Sequence, residues 1–293
     1  MLKHIPVLLN EVIDTLEPKD NAVYFDGTFG GGGYTRAILE AANCKVIACD
    51  RDPFVKTFAK DFYEKYSGRF AFSHAKFSEI KSVIDQYKEF SPQSRIDGIV
   101  LDLGVSNFQL SDPERGFSFR LDGPLNMSMG LCEENALDVI RKYSEKDLAD
   151  IIYQYGEEHF SRGIAKSIKK NLDKIKTTED LANVIRDRIK KSGKIDAATK
   201  TFQALRIFVN RELDELENVL QTSVDILNNG GKIIVVSFHS LEDRIVKQFF
   251  KSTVANSNGC FQFLNKKPIT PSKSEIVSNP KSRSAKLRGI YML

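Results

Sequence analysis

Apolar residues arrive along this chain in short solid runs, and amphipathic stretches separate the runs. Ala22-Val23-Tyr24-Phe25, Lys45-Val46-Ile47-Ala48-Cys49, Phe70-Ala71-Phe72-Ser73-His74 and Ile96 to Leu101 have almost no polar face, the pattern of strands covered on both sides. Between them, Tyr34 to Leu39, Pro53 to Tyr66 and Val83 to Phe90 read as helices. Four strands with intervening helices predict βαβ units, half of an open parallel sheet. The pattern then changes. Val105 to Met129 is rich in turn formers and aromatics and is too long for a simple loop. From Leu137 to Lys191 the periodicity is helical, with Leu181, Val184, Ile185 and Ile189 on one helix face and Ile164, Ile168 and Leu172 on another. Ser144-x-x-Asp147 and Thr177-x-x-Asp180 have the spacing of helix N-terminal caps. A single long helix is predicted from about Thr199 to Leu227, stopped by Asn228-Asn229-Gly230-Gly231. Lys232 to Ser237 is a fifth buried strand, Leu241 to Phe250 a helix, and Phe261 to Leu264 and Leu287 to Met292 supply two more strands. The reading is an α/β protein whose sheet domain, residues 1–106 and 199–293, is interrupted by an all-helical subdomain over 107–198.

Composition narrows the class only a little. The 293 residues are 41% hydrophobic and 28% charged, ordinary for a globular protein. No apolar run is long enough to cross a bilayer, and Lys3, Glu11 and Asp14 break up the first sixteen residues. Neither a signal peptide nor a membrane span is therefore expected, and the cytoplasm is the expected compartment. The four cysteines make no CxxC pair and read as small core residues; the four histidines show no ligand spacing, so no metal is expected. Charge is more informative, because it is unevenly spread. Between Phe160 and Arg211 there are 14 Lys and Arg against 5 Asp and Glu, and from Phe261 to Leu293 there are 7 against 1. With a total of +4, the remainder carries −11. Two basic segments on an otherwise acidic chain point to a polyanion such as nucleic acid, although a solvated lysine-rich helix face gives the same count.

Candidate chemistry centres on Asp26-Gly27-Thr28-Phe29-Gly30-Gly31-Gly32-Gly33, a glycine-rich turn between the first strand and the next helix. Such a turn lets a ligand approach bare backbone at a helix N-terminus. The dinucleotide fingerprint requires a third glycine, yet Gly30-x-Gly32 is followed by Thr35, and Gly31-x-Gly33 by Arg36. A site for S-adenosylmethionine needs a tight glycine turn, an acid upstream of it and an acid for the ribose. Asp26 and Asp50 match, so the methyl donor is favoured over a dinucleotide. Asp102 ends the fourth strand, on the rim where ligands bind in such sheets, or else caps a turn. Phe77 closely follows the third strand, where a flat apolar face suits an adenine. Gln203, Arg206 and Asn210 share one helix face, as a solvated stripe or as part of a site. Ser237-Phe238-His239-Ser240 follows the fifth strand, with His239 either a base or a hydrogen-bonded loop residue.

Several motifs together carry a family resemblance: His4-Ile5-Pro6-Val7-Leu8-Leu9-Asn10-Glu11-Val12, the Asp26 to Gly33 turn, Asp50-Arg51-Asp52-Pro53 and Leu101-Asp102-Leu103-Gly104-Val105-Ser106. Arg115-Gly116-Phe117-Ser118-Phe119, Tyr155-Gly156-Glu157-Glu158, Thr201-Phe202-Gln203-Ala204-Leu205-Arg206, Val236 to Arg244 and Ser282 to Arg288 complete the set. Over nearly its whole length the chain resembles the ribosomal RNA small subunit methyltransferase H family. The resemblance implies a class I, Rossmann-like methyltransferase sheet with a helical insertion, and N4-methylation of a decoding-centre cytidine in 16S ribosomal RNA by S-adenosylmethionine. It places cofactor contacts on Gly32, Gly33, Tyr34, Asp50, Phe77, Asp102 and Gln109. Arg206, Asn210, Ser237 and His239 are the expected acceptor pocket. The chain departs from the family pattern at Tyr34 (usually histidine), Phe108 (proline), Asn126, Ser128 and Gly130 (aspartate, arginine, aspartate) and Asp196-Ala197 (His-Pro). No Asp/Asn/Ser-Pro-Pro-aromatic loop follows the fourth strand, so no catalytic base is assigned. The assembled small subunit is the expected partner. The oligomeric state, a homodimer included, stays open. Methylation of another substrate class, and a cofactor-sensing assembly factor without turnover, are the rival readings.

Overall fold

The computed structural model describes residues 6–189 and 195–293. His4 and Ile5 of the N-terminal motif, and Lys190, Lys191 and Lys194 of the first basic segment, lie outside the described residues. Helix α1 (Leu9–Leu16) precedes a run of alternating elements: β1 (Val23–Asp26), α2 (Gly33–Ala41), β2 (Lys45–Asp50), α3 (Lys56–Lys65), β3 (Phe70–His74), α4 (Ile80–Asp85) and β4 (Ile96–Asp102). Helices then follow one another: α5 (Asn107–Ser111), α6 (Ala136–Lys142), α7 (Glu145–Gly156), α8 (Ser161–Lys170), α9 (Thr178–Arg188) and α10 (Thr199–Asn210). Alternation resumes with α11 (Glu212–Asp225), β5 (Leu227–Ser237), α12 (Ser240–Asn256), β6 (Phe261–Phe263), α13 (Lys273–Ser278) and β7 (Lys286–Met292). The chain divides into two compact units, one built from the residues up to Gly104 with Leu213–Leu293, the other from Val105–Glu212.

The first unit is a sheet of seven strands in the order β3-β2-β1-β4-β5-β7-β6. Strands β3 to β5 of that order run parallel, while β7 is antiparallel to both β5 and β6. Alternate strand residues fill two separate cores. Phe25, Ile47, Ile99 and Ile233 pack with α4, α11 and α12, whereas Tyr24, Val46, Val100 and Ile234 pack with α1, α2 and α3. Both faces are covered, which is why these strands read as solid apolar runs. The strand order reverses between β1 and β4, so their carboxyl ends open the crevice in which a doubly wound sheet binds its ligand. This is the α/β class I arrangement that the resemblance implied.

The second unit has a core of its own around Ile140, Leu148, Ile152, Ile164, Ile168, Leu181, Ile185 and Leu205. Its predicted caps form: Ser144 Oγ accepts the Asp147 N–H at 3.1 Å, and Thr177 and Asp180 cap each other's backbone. Among the described residues no helix is long and apolar enough to cross a membrane.

Three expectations need correction. The single helix from Thr199 to Leu227 is two, because Arg211 takes a left-handed conformation (φ +50°) between α10 and α11. Asn210 fixes the break, since its amide is held by the backbone of Met127, Met129 and Arg206. Accordingly the second unit runs to Glu212, and α10 belongs to it rather than to the sheet domain. Asn228 to Gly231 does not stop a helix; it bulges within β5, where Leu227 pairs with Ile96 and Lys232 with Gly98. Gly230 supplies the positive φ of +79° that the bulge needs. Finally, the helix expected over Val83 to Phe90 is α4, followed by tight turns at Tyr87 and Phe90.

A left-handed arginine costs about 1–2 kcal/mol of backbone strain that glycine avoids. Arg211→Gly is therefore expected to hold or raise the thermal midpoint by a few degrees. A continuous helix would instead lose about 1 kcal/mol to the same change. Calorimetric unfolding distinguishes the two.

Candidate active site at the carboxyl rim of the sheet

Three adjacent parallel strands each deliver an aspartate to the same rim. Asp26 ends β1, Asp50 ends β2, and Asp102 ends β4 beside Val236 of β5. Asp26 is wholly buried; its Oδ2 accepts the Thr35 hydroxyl at 2.7 Å and its Oδ1 the Thr28 N–H at 3.1 Å. Thr28 in turn accepts the Asp102 N–H at 2.7 Å, so the glycine turn is stitched to the end of β4. Asp50 accepts the N–H of Gly30 at 2.8 Å and of Asp52 at 2.9 Å. Gly30 itself is left-handed (φ +51°), with only the Thr28 carbonyl near where a Cβ would stand. Burial raises the carboxyl of Asp26 above the ordinary range and pushes that of Asp50 up to about 6. Asp102 is raised well above its usual value by burial and then by the charges of Asp26 and Glu242. Its Oδ1 is buried without a hydrogen-bond partner.

The glycines and the tyrosine behind this rim are occupied by the protein itself. A Cβ on Gly32 would stand 2.3 Å from the Phe62 ring, and one on Gly33 2.1 Å from Pro6. The Gly32 N–H is given to the Phe29 carbonyl at 2.7 Å. Tyr34 is buried, and its hydroxyl donates to the Val7 carbonyl. Phe77 follows β3 half-buried, and its Cβ helps Leu101 and Phe25 to fill the space where a side chain on Gly27 would stand.

On the neighbouring strand Ser237 ends β5, buried, with its hydroxyl toward the Lys286 carbonyl at 3.4 Å. His239 caps α12: Nδ1 accepts the Glu242 N–H at 3.4 Å, while Nε2 lies 3.0 Å from Glu242 Oε1 but outside hydrogen-bond alignment. The other oxygen of Glu242 accepts the N–H groups of Phe238 and His239, which fixes the turn. Behind it, Asp243 pairs with Lys286 and Arg288, both at 2.7 Å.

The structure thus gathers Asp26, Asp50, Asp102, Ser237 and His239 on one rim. Gln109, Arg206 and Asn210 belong to the second unit, where each has internal work. Gln109 Oε1 accepts the Ser106 N–H at 2.9 Å in the cap of α5. Arg206 grips Glu212 through two bonds of 2.9 and 3.0 Å. Asn210 uses both ends of its amide, as described for the break after α10.

A cluster of carboxylates selects against an anionic pyrophosphate and for a cation. The model of the MraW methylase family matches residues 1–292. The chain belongs to the MraW methylase family. A relative from Ehrlichia chaffeensis, named ribosomal RNA small subunit methyltransferase H, is 51% identical over 99% of this chain and 100% of its own. One of the same name from Wolbachia sp. subsp. Drosophila simulans is 48% identical over 100% of both. Among solved structures, an rRNA methylase from Streptococcus thermophilus covers 100% of this chain and 99% of its own at 10% identity and a TM-score of 0.45.

As an MraW methylase the chain is a methyltransferase whose donor is S-adenosylmethionine. The rim fits that cationic group: the unsatisfied Asp102 Oδ1 offers an acceptor, Asp50 offers a carboxylate, and the open side of Gly30 offers bare backbone. Thr28 and Glu242, which position Asp102 and His239, were not singled out from sequence. The spacing His239-x-x-Glu242 is a capping-box signal that could have pointed to Glu242.

The carboxyl of Asp50 has its ordinary value of 3.8 in the unfolded chain and about 6 when folded. Its own contribution to stability is thus full below 3.8 and lost as pH rises through 6. For a ribose held by Asp50, as the sequence reading expects, ligand affinity runs the opposite way, because only the ionised form accepts two hydroxyl donors. S-Adenosylmethionine affinity is expected to be flat above about pH 6 and to fall toward ten-fold per unit below it. In Asp50→Asn the affinity is lower at pH 7.5 and this slope is gone. Calorimetric titration from pH 5 to 8 reads both.

Proposed function

We propose that this methylase transfers the methyl group of S-adenosylmethionine to the exocyclic N4 of a cytidine in the decoding centre of 16S ribosomal RNA, on assembled small subunits in the cytoplasm. What carries the reading is the near-half identity, over the full length, to relatives named for small-subunit ribosomal RNA. The charge distribution supports a polyanionic substrate: the segment from Phe160 to Arg211 holds 14 Lys and Arg against 5 Asp and Glu.

The N4 nitrogen of cytosine is a poor nucleophile, because its lone pair is delocalised into the ring. Bound at the rim, S-adenosylmethionine supplies a methyl group made electrophilic by its sulfonium charge. The remaining work falls to the protein's own groups. Asp50 would accept the ribose hydroxyls, Asp102 Oδ1 would accept N–H donors of the methionine end, and Phe77 would give the adenine an apolar face. With Nδ1 taken by the Glu242 N–H, His239 carries its proton on Nε2 and offers that N–H to the ring edge of the cytosine, while the Ser237 hydroxyl oxygen accepts an N–H of its amine, which lets the nitrogen pyramidalise. Glu242 keeps the His239 turn in place, so little reorganisation is needed as charge develops. Arg206 and Asn210 contribute by holding the second unit in shape. The target base has to leave its stack, so an unpaired nucleotide is the acceptor.

The test is methyl transfer from isotopically labelled S-adenosylmethionine to small subunits from cells lacking this enzyme, read by nucleoside mass spectrometry. Label is expected in N4-methylcytidine or its 2′-O-methylated form, at one site. Label in another nucleoside, or in none, overturns the reading. His239→Ala is expected to lower kcat about ten-fold, the loss of roughly one hydrogen bond in the transition state, with cofactor affinity unchanged.

A further inference from the structure

We propose that the turn between α7 and α8 is a stacking platform for unpaired RNA bases, bordered by a phosphate-binding face on α8. The choice of RNA as the ligand rests on the ribosomal RNA reading above. Within eight residues three rings stand in solvent: Tyr153 is 54% exposed, Phe160 is 64% exposed, and His159 is exposed with its ring 6.2 Å from that of Tyr153. Single exposed apolar residues are ordinary; a group of aromatics on one turn marks a contact surface.

The turn that carries His159 and Phe160, just past Tyr153 in α7, is firmly held. Glu157 is left-handed (φ +49°), and its carbonyl accepts Lys200 Nζ at 2.9 Å. Glu158, 7% exposed, accepts the Phe160 N–H through its side chain at 2.9 Å and the Ser161 N–H through its carbonyl at 3.2 Å. A Cβ on Gly156 would stand 2.5 Å from the Lys200 carbonyl, so α7 ends pressed against the start of α10. The backbone that presents these rings is already fixed, so binding has only their side-chain rotamers to order.

Charge complementarity selects the occupant. Ile164, Ala165 and Ile168 bury one side of α8, while Arg162, Lys166 and Lys170 recur every four residues in solvent. Gly163 adds to this face: a Cβ there would meet the Arg188 guanidinium at 2.9 Å, so the glycine gives Arg188, from the last turn of α9, room to lie against α8. Exposed rings beside a cationic stripe are how proteins hold single-stranded nucleic acid, with bases on the rings and phosphates on the cations. Duplex RNA keeps its bases inside and has no use for the rings.

The full-length protein would be titrated into a fluorescein-labelled, mixed-sequence, single-stranded RNA 12-mer, with anisotropy read at several salt concentrations. Phe160→Ala is expected to weaken binding about ten-fold, ~1.4 kcal/mol, with calorimetric S-adenosylmethionine affinity unchanged. Phe160→Tyr restores binding, whereas Phe160→Leu, apolar but not flat, does not. Arg162→Ala with Lys166→Ala should flatten the slope of log affinity against log salt by about 0.7 for each phosphate that is no longer neutralised. Phe160→Ala should leave that slope alone. Unchanged RNA affinity in Phe160→Ala overturns the platform, and full affinity in Phe160→Leu overturns stacking in favour of a general apolar contact. The two readings fail separately. If Phe160→Ala loses the RNA but the wild type labels no ribosomal cytidine, the platform stands and the cytidine assignment falls. If the wild type labels N4 while Phe160→Ala binds RNA normally, the reverse holds.

Discussion

A carboxylate buried at the end of a central strand is the constraint from which the rest of the site follows. Asp26 is wholly enclosed by protein, so its charge is tolerable only through the donors that face it. Those donors are the Thr28 N–H in the glycine turn and the Thr35 hydroxyl in the first turn of α2. Satisfying one side chain therefore fixes where β1 ends, how the chain turns and where the helix begins. Thr28 passes the same constraint on to Asp102 by accepting its N–H.

Three raised carboxyls on adjacent strand ends are unfavourable for the protein alone and favourable for a cationic ligand. Stability is surrendered locally and recovered on binding, as at many functional sites. Both ends of the chain help to hold this arrangement. Pro6 and Val7 pack on Gly33 and Tyr34, and Glu275 of α13 accepts the Leu8 N–H at 2.8 Å. Tyr34, where the family usually has histidine, is thereby an anchor for the N-terminal segment.

The strands were legible because each is apolar on two faces, and the rim followed once Asp26, Asp50 and Asp102 were placed at strand ends. What escaped the sequence depends on partners far along the chain. Arg211 has a good helix propensity; only the hold of Asn210 on Met127 and Met129, some eighty residues away, makes it a break. Asn228 to Gly231 has the composition of a helix stop, yet strand pairing on either side turns it into a bulge. Gly32 and Gly33 read as bare backbone for a ligand, and their lack of a side chain also makes room for Phe62 and Pro6, which no local signal announces. Gln109 was named by resemblance for a cofactor contact, and its carbonyl oxygen serves a helix cap. In each case the local signal is silent about a partner that only the folded chain supplies.

The pairing of β4 with β5 joins strands separated by roughly 120 residues. Closing so long a loop from an unstructured chain is slow, and the open edge of β4 would be exposed to other chains meanwhile. The second unit removes much of that difficulty, because its core is drawn entirely from within Val105–Glu212. On the ribosome it emerges whole before β5 is made, and domains fold as units in that order. Once it has collapsed, far less unstructured chain separates β4 from β5, and the loop still to be closed costs less entropy. A substitution that unfolds the insertion is thus a defect in assembling the methylase sheet, even where no residue of the sheet has changed.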